Sequence, residues 1–127
     1  MAQDPNHIAY VRGDKMFKER RYTDAAKYFI AALEEWPEDW MAMDALGNCY
    51  SEMKKPRKAE KWFRLAIETA PPQNHVKLIY NLGNALFDQQ RYEEAIQMYR
   101  GVPRGHEIWR LSANNIAAAE KRLANET

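Results

Sequence analysis

The sequence predicts an all-α fold, a stack of three helix pairs closed by a seventh, C-terminal capping helix. Three observations lead there. Sliding the chain against itself by 34 residues pairs Gly13 with Gly47, Ala25 with Ala59, Phe29 with Phe63, Ala32 with Ala66 and Pro37 with Pro71. A further shift of 36 pairs Leu46 with Leu82, Gly47 with Gly83, Asn48 with Asn84, Ala59 with Ala95 and, conservatively, Phe63 with Tyr99. Within each period the apolar spacing is helical, as in Leu46, Tyr50 and Met53, and no stretch sustains the alternation of a strand. A chain of 127 residues fits one domain, with repeats at about 6–39, 40–73 and 76–105 and the cap at about 106–124.

Taken in order, the helices are expected near 6–19, 23–36, 39–52, 56–69, 74–88, 92–101 and 106–124. Asp4 with Pro5 behind it reads as the start of the first, and Thr23 as the cap of the second. Pro56 sits where the fourth begins, while Pro37 and Pro71 close the second helix of their pairs. The third copy carries two extra residues, for which PPQN (71–74) is the obvious place. Gly47 and Gly83 are expected where the helices of a pair approach closely, with Ala25, Ala59 and Ala95 facing them. Phe29, Phe63 and Tyr99 would then fill the gap to the next pair. In the cap, Ile108, Leu111, Ala118 and Ala119 are expected inward and Lys121 and Arg122 in water.

This code of small residues, aromatics and prolines resembles the tetratricopeptide repeat, W-x2-L-G-x2-Y, then A-x3-F, then P. The middle copy matches with Leu46, Gly47, Tyr50, Ala59, Phe63, Ala66 and Pro71, departing at Met43. The first copy has Ala9 and Arg12 at the Trp and Leu positions, and the third has Val102 and Glu107 where alanine and proline belong. The resemblance implies a superhelical stack whose first helices line a concave groove. Its inward positions would be Tyr10, Asp14 and Phe17; Asp44, Asn48 and Ser51; and Tyr80, Asn84 and Phe87, with Lys77 nearby. The two Asn amides could hold the backbone of an extended peptide, and the aromatics would supply apolar contact.

Function is therefore expected to be non-catalytic binding of a peptide or helix of another protein. The alternative is a dedicated chaperone for a secreted or membrane-inserted subunit. Some relatives clamp acidic chaperone tails with Lys, Asn, Asn, Lys and Arg; the matching positions here hold Tyr10, Asp14, Ala45, Lys77 and Asn81, so the expected ligand is neutral to basic with an apolar anchor. His7, His75 and His106 are scattered, without a metal, nucleophile or phosphate-loop motif, and each reads as an exposed helix-end residue. No catalytic residue, metal or cofactor is expected. Cys49 stands alone inside a helix, so it reads as a buried structural thiol, and the absence of a disulfide pair fits a reducing, cytoplasmic setting.

With 46% hydrophobic and 29% charged residues, the chain lacks the composition of disorder. Its 19 Lys+Arg against 18 Asp+Glu leave a formal net charge of +1 and no global field for nucleic acid. No apolar run approaches the roughly 20 residues of a membrane span. A local basic cluster at Lys54, Lys55, Arg57, Lys58, Lys61 and Arg64 reads as a solvated convex face, with an acidic protein partner as second reading. Glu34, Glu35, Glu38 and Asp39 flank Trp36 and Trp40; contact of this rim with the basic cluster of another molecule is the self-association the charges allow.

Overall fold

A computed structural model describes residues 7–126, and it divides into two compact units that meet in sequence at Ala70 and Pro71. The first unit holds α1 (Ile8–Lys18), α2 (Tyr22–Glu35), α3 (Trp40–Glu52) and α4 (Pro56–Thr69). The second opens with a 3-10 turn at Pro72–Asn74 and holds α5 (His75–Asp88), α6 (Tyr92–Tyr99) and α7 (Trp109–Asn125). No strand occurs among the described residues. The inserted PPQN segment forms that 3-10 turn.

Each helix pair turns in the same way. Arg20, Lys54 and Gln90 have φ of 62°, 62° and 64°, one residue before the cap of α2, α4 and α6. Behind each, a backbone N–H reaches back five residues: Arg21 to Met16, Lys55 to Tyr50 and Arg91 to Leu86, at 2.9, 2.8 and 3.0 Å. This closure satisfies the last carbonyls of the preceding helix, and it is built without the glycine that a left-handed position favours. Pro56 is the first residue of α4, where its missing N–H costs nothing.

The caps depart from expectation at two places. Thr23 lies inside α2, whose N-cap is Arg21 without a side-chain bond, and its hydroxyl instead reaches Met53 Sδ at 3.4 Å. Asp39 caps α3, its carboxylate accepting from Met41 N–H and Ala42 N–H at 3.0 and 3.2 Å. The expected start at Asp4 and Pro5 lies outside the described residues.

The glycines explain how closely the pairs approach. A Cβ on Gly47 would stand 2.6 Å from Phe63 Cε1, and one on Gly83 would stand 2.7 Å from Tyr99 Cε1. The residue facing each glycine is thus the aromatic of its own pair, not an alanine. The ring is large, so the helix that carries it can pack tightly only where its partner has no side chain. Ala25, Ala59 and Ala95 are fully buried, as expected. Phe29 has both contacts: it covers Gly13, and it joins Leu46 and Cys49 of α3 in the core of the first unit.

The cap helix is turned from its expected register. Leu111 is 51% exposed and Ala118 is exposed, Ile108 is half-buried, and Ser112 and Ala119 are buried. Ile116 and Leu123 join Ala119 against Tyr92 and Ile96 of α6. The stripe Ser112, Ile116, Ala119, Leu123 has helical spacing of four, three and four. Arg122 is exposed, yet its guanidinium donates to the Tyr92 hydroxyl at 3.2 Å and lies 5.8 Å from the Phe87 ring centre.

Candidate functional site

In the first unit, α1 and α3 bring Tyr10 near Asp14 and Asp44. Tyr10 packs edge-on to Phe29 with centroids 5.4 Å apart. Burial pushes its phenol up to about 12, and the charges of Asp14, Asp39 and Asp44 push in the same direction. Tyr10 is therefore the point where the carboxylates of α1 and α3 converge. Asp14 pairs with Lys18 one turn on, at 2.9 Å, with both side chains well exposed; such a pair adds little stability and leaves the carboxylate in reach of a ligand.

Asn48 lies one helical turn beyond Asp44 and is half-buried. Among the described residues its amide has no hydrogen-bond partner. Ser51 is half-buried near the end of the same helix. Phe17 is different in kind: it stacks edge-on to Tyr22 at 5.1 Å and packs on the core, so it supports the face from below.

In the second unit the corresponding residues are already engaged. Asn84 Oδ1 accepts from the Tyr99 hydroxyl at 2.5 Å and from Asn115 Nδ2 at 3.2 Å. Asn115 Nδ2 also stands 3.3 Å from the Tyr80 hydroxyl. Tyr80 leans on Tyr99 with centroids 5.7 Å apart, and burial raises the Tyr99 phenol well above its ordinary value. Phe87 stacks edge-on to Tyr92 at 5.1 Å and packs with Ile116 and Leu123 of α7. Lys77 is exposed. The two asparagines at one repeat position thus differ: Asn48 offers a whole amide, whereas the carbonyl of Asn84 is used within its own unit.

Asn115 is the residue that sequence reading missed. It sits three residues after Ser112 and four before Ala119, on the inward stripe of α7, so the register of the cap would have pointed to it. Its partners Tyr80 and Asn84 are 35 and 31 residues away, a separation no local pattern reports.

Cys49 is fully buried, and desolvation pushes its thiol up to about 12, which suppresses the nucleophilic thiolate. His7 is buried, correcting the exposed placement expected for it, and its ring meets Trp36 edge-on at 5.9 Å. His106 Nδ1 accepts the Ile108 N–H at 3.2 Å, and His75 is half-buried at the start of α5. No group of three His, Cys, Asp or Glu residues among the described residues could hold a metal ion. No helix among them is long and apolar enough to cross a membrane.

Comparison with known proteins adds a family. A profile described as "Tetratricopeptide repeat" matches residues 10–75, and a second of the same description matches 78–104. Among curated relatives, mouse Protein O-mannosyl-transferase TMTC3 is 30% identical over 101 residues, which is 69% of this chain and 11% of that protein. Hsp70-Hsp90 organizing protein 1 of Glycine max is 26% identical over 89 residues, 70% of this chain and 15% of that protein. The chain therefore spans only a small part of the relatives it matches. Among solved structures, the first repeat domain of Spaghetti (RPAP3) bound to the HSP90 peptide SRMEEVD has a TM-score of 0.83 at 21% identity, covering 95% of this chain and 96% of that one. The Yersinia enterocolitica type III secretion translocator chaperone SycD has a TM-score of 0.76 at 18% identity, covering 94% and 84%.

Proposed function

The chain belongs to the tetratricopeptide repeat family, and from that premise we propose that it is a non-catalytic interaction module that takes an extended peptide segment of another protein on the α1/α3 face of its first unit. The observation that carries this reading is the free amide of Asn48. An Asn side chain presents one acceptor and two donors; half-buried and unpaired, it can pair with the N–H and C=O of a peptide backbone whatever side chains that peptide bears. Tyr10 supplies an apolar edge beside it, while Asp14 and Asp44 supply negative charge.

The ligand chemistry follows from those charges. The SRMEEVD peptide held by the RPAP3 domain is acidic; of the five positions at which relatives that clamp such tails use cations and amides, this chain keeps the cation at one, Lys77, and has Tyr10, Asp14, Ala45 and Asn81 at the others. A carboxylate at Asp14 repels an acidic tail. The proposed ligand is therefore a neutral-to-basic segment carrying at least one large apolar residue.

The test uses two labelled synthetic peptides that share an apolar anchor: SRMEEVD and a counterpart with lysines for its acidic residues. The basic peptide should bind the α1/α3 face more tightly, and Asn48→Ala should weaken it by about 1–3 kcal/mol, because backbone groups of the peptide lose their partner on desolvation. Full affinity for the basic peptide in a folded Asn48→Ala variant, or tighter binding of an acidic peptide that Asn48→Ala weakens, would refute the reading. The likeness to SycD, which has also been solved with a peptide of the translocator YopD, favours one second reading, a dedicated chaperone. That role requires co-purification with a single apolar client that is insoluble without this chain.

A further inference from the structure

The charges of the first unit are sorted along α3. Glu34, Glu35 and Glu38 are exposed where α2 leads into α3, whereas Lys54, Lys55, Arg57, Lys58 and Lys61 are exposed where α3 leads into α4. The 13 residues of α3 hold the two groups about 20 Å apart. Local ion pairs in this unit join Lys18 with Asp14, Arg21 with Asp24 and Glu19, and Arg64 with Glu60. None uses the five cations at the α3–α4 turn. Lys58 instead lies over the Tyr50 ring, 5.4 Å from its centre. The contact of Thr23 with Met53 also brings the α1–α2 turn, with exposed Arg20, beside them.

We propose that the α3–α4 turn and the first two turns of α4 dock a short acidic polypeptide segment of a partner protein. The surface is distinct from the α1/α3 face and stands or falls independently of it. Five cations that form no ion pair among the described residues, on a chain of net charge +1, are a local feature that an acidic surface complements. α4 begins here with no side-chain cap, so its N-terminal N–H groups add to the positive field. The patch is short, with Glu52 before it and Glu68 beyond it, both exposed. A long polyanion following α4 would run onto those carboxylates, whereas a segment of two or three acidic residues would not.

Two other classes of ligand fit less well. Among the described residues the exposed large hydrophobics are Ile8, Val11, Ile30, Met41 and Leu111, none of them in the patch, so it lacks the apolar wedge that anchors a basic helix in a lipid surface. Nucleic acid bound as a single strand needs aromatic platforms. The nearest rings, Tyr50 and Trp62, are half-buried, and Lys58 covers the first.

The experiment measures fluorescence anisotropy of a labelled peptide with three glutamates flanked by neutral residues, added to the full chain at about 50 and 300 mM salt, since such contacts are screened over roughly a Debye length. The expected result is binding at low salt that falls at least about tenfold at high salt. The triple variant Arg57→Glu, Lys58→Glu and Lys61→Glu should lose at least about tenfold in affinity; acidic residues are favoured in the first turns of a helix, so α4 should persist, as a thermal melt would show. The control triple Lys27→Glu, Arg110→Glu and Lys121→Glu, with the same change in net charge at other exposed positions, should bind normally. Equal losses in both triples would reduce the effect to net charge and overturn the proposal. So would tighter binding of a single-stranded oligonucleotide of equal charge, or of phosphatidylserine vesicles, than of the peptide.

Discussion

Replacing Gly47 by alanine tests the feature on which each pair depends. The added methyl would stand 2.6, 2.8 and 2.9 Å from Cε1, Cδ1 and Cζ of Phe63. Real Cβ atoms do not approach so near, and the ring is only 1% exposed, so it has no open space to swing into. Overpacking of this kind costs typically 1–3 kcal/mol, and the rigid ring places the cost in the upper part of that range. Against it stands the helix propensity of alanine over glycine, about 0.8–1 kcal/mol. The net expectation is a loss of about 1–2 kcal/mol, or roughly 3–12 °C in Tm for a chain of this size. Thermal melts of Gly47→Ala, Phe63→Leu and the double variant complete a cycle. Leucine withdraws the outer ring atoms, so the double variant should lose less than the sum of the single losses, by about 1 kcal/mol or more. Gly105→Ala is the internal control: nothing lies within 4 Å of its Cβ, so its Tm should hold or rise slightly. A Gly47→Ala protein as stable as the parent, or more so, would mean that the ring yields freely and that close approach is not why glycine stands there.

Three further outcomes follow from the same structure. Asp39→Ala should cost about 0.5–2 kcal/mol by removing the acceptor of two N–H groups at the start of α3, and Asp39→Asn should recover much of it in chemical denaturation. Raising the pH should destabilise the fold: Cys49, moved by burial from 9.0 to about 12, keeps its proton when folded but loses it when unfolded between those values. Its stabilising effect is thus fully present below pH 9 and is lost at about 1.4 kcal/mol per pH unit as pH climbs toward 12; Cys49→Ala should flatten the alkaline part of a Tm-against-pH curve, and an unchanged slope would contradict the burial argument. Deleting residues 106–127 removes Ala119 and should expose Tyr92 and Ile96, so light scattering should show aggregation or the melt a clearly lower midpoint.

Much of this protein is determined by sequence alone, and the reason is geometric. A helix returns to the same face every three or four residues, and a chain that repeats its small residues, aromatics and prolines at a fixed interval must repeat its helix pairs. Hence the seven helices, the proline at the start of α4, the buried alanines and the buried thiol of Cys49 are all legible before any coordinates exist. The tertiary structure decided what depends on distance across the chain. Asn48 and Asn84 occupy the same repeat position, yet the first amide has no partner among the described residues and the carbonyl of the second is held by Tyr99 and by Asn115 from α7. Repetition is blind to that difference, because it records what the copies share, and the second unit ends in a helix with no counterpart among them. The same helix carries no repeated code to set its rotation; packing against Tyr92 and Ile96 turned Ile116 inward and left Leu111 in water. Likewise the glycines announce a close approach, but only packing shows that an aromatic ring of the same pair makes it.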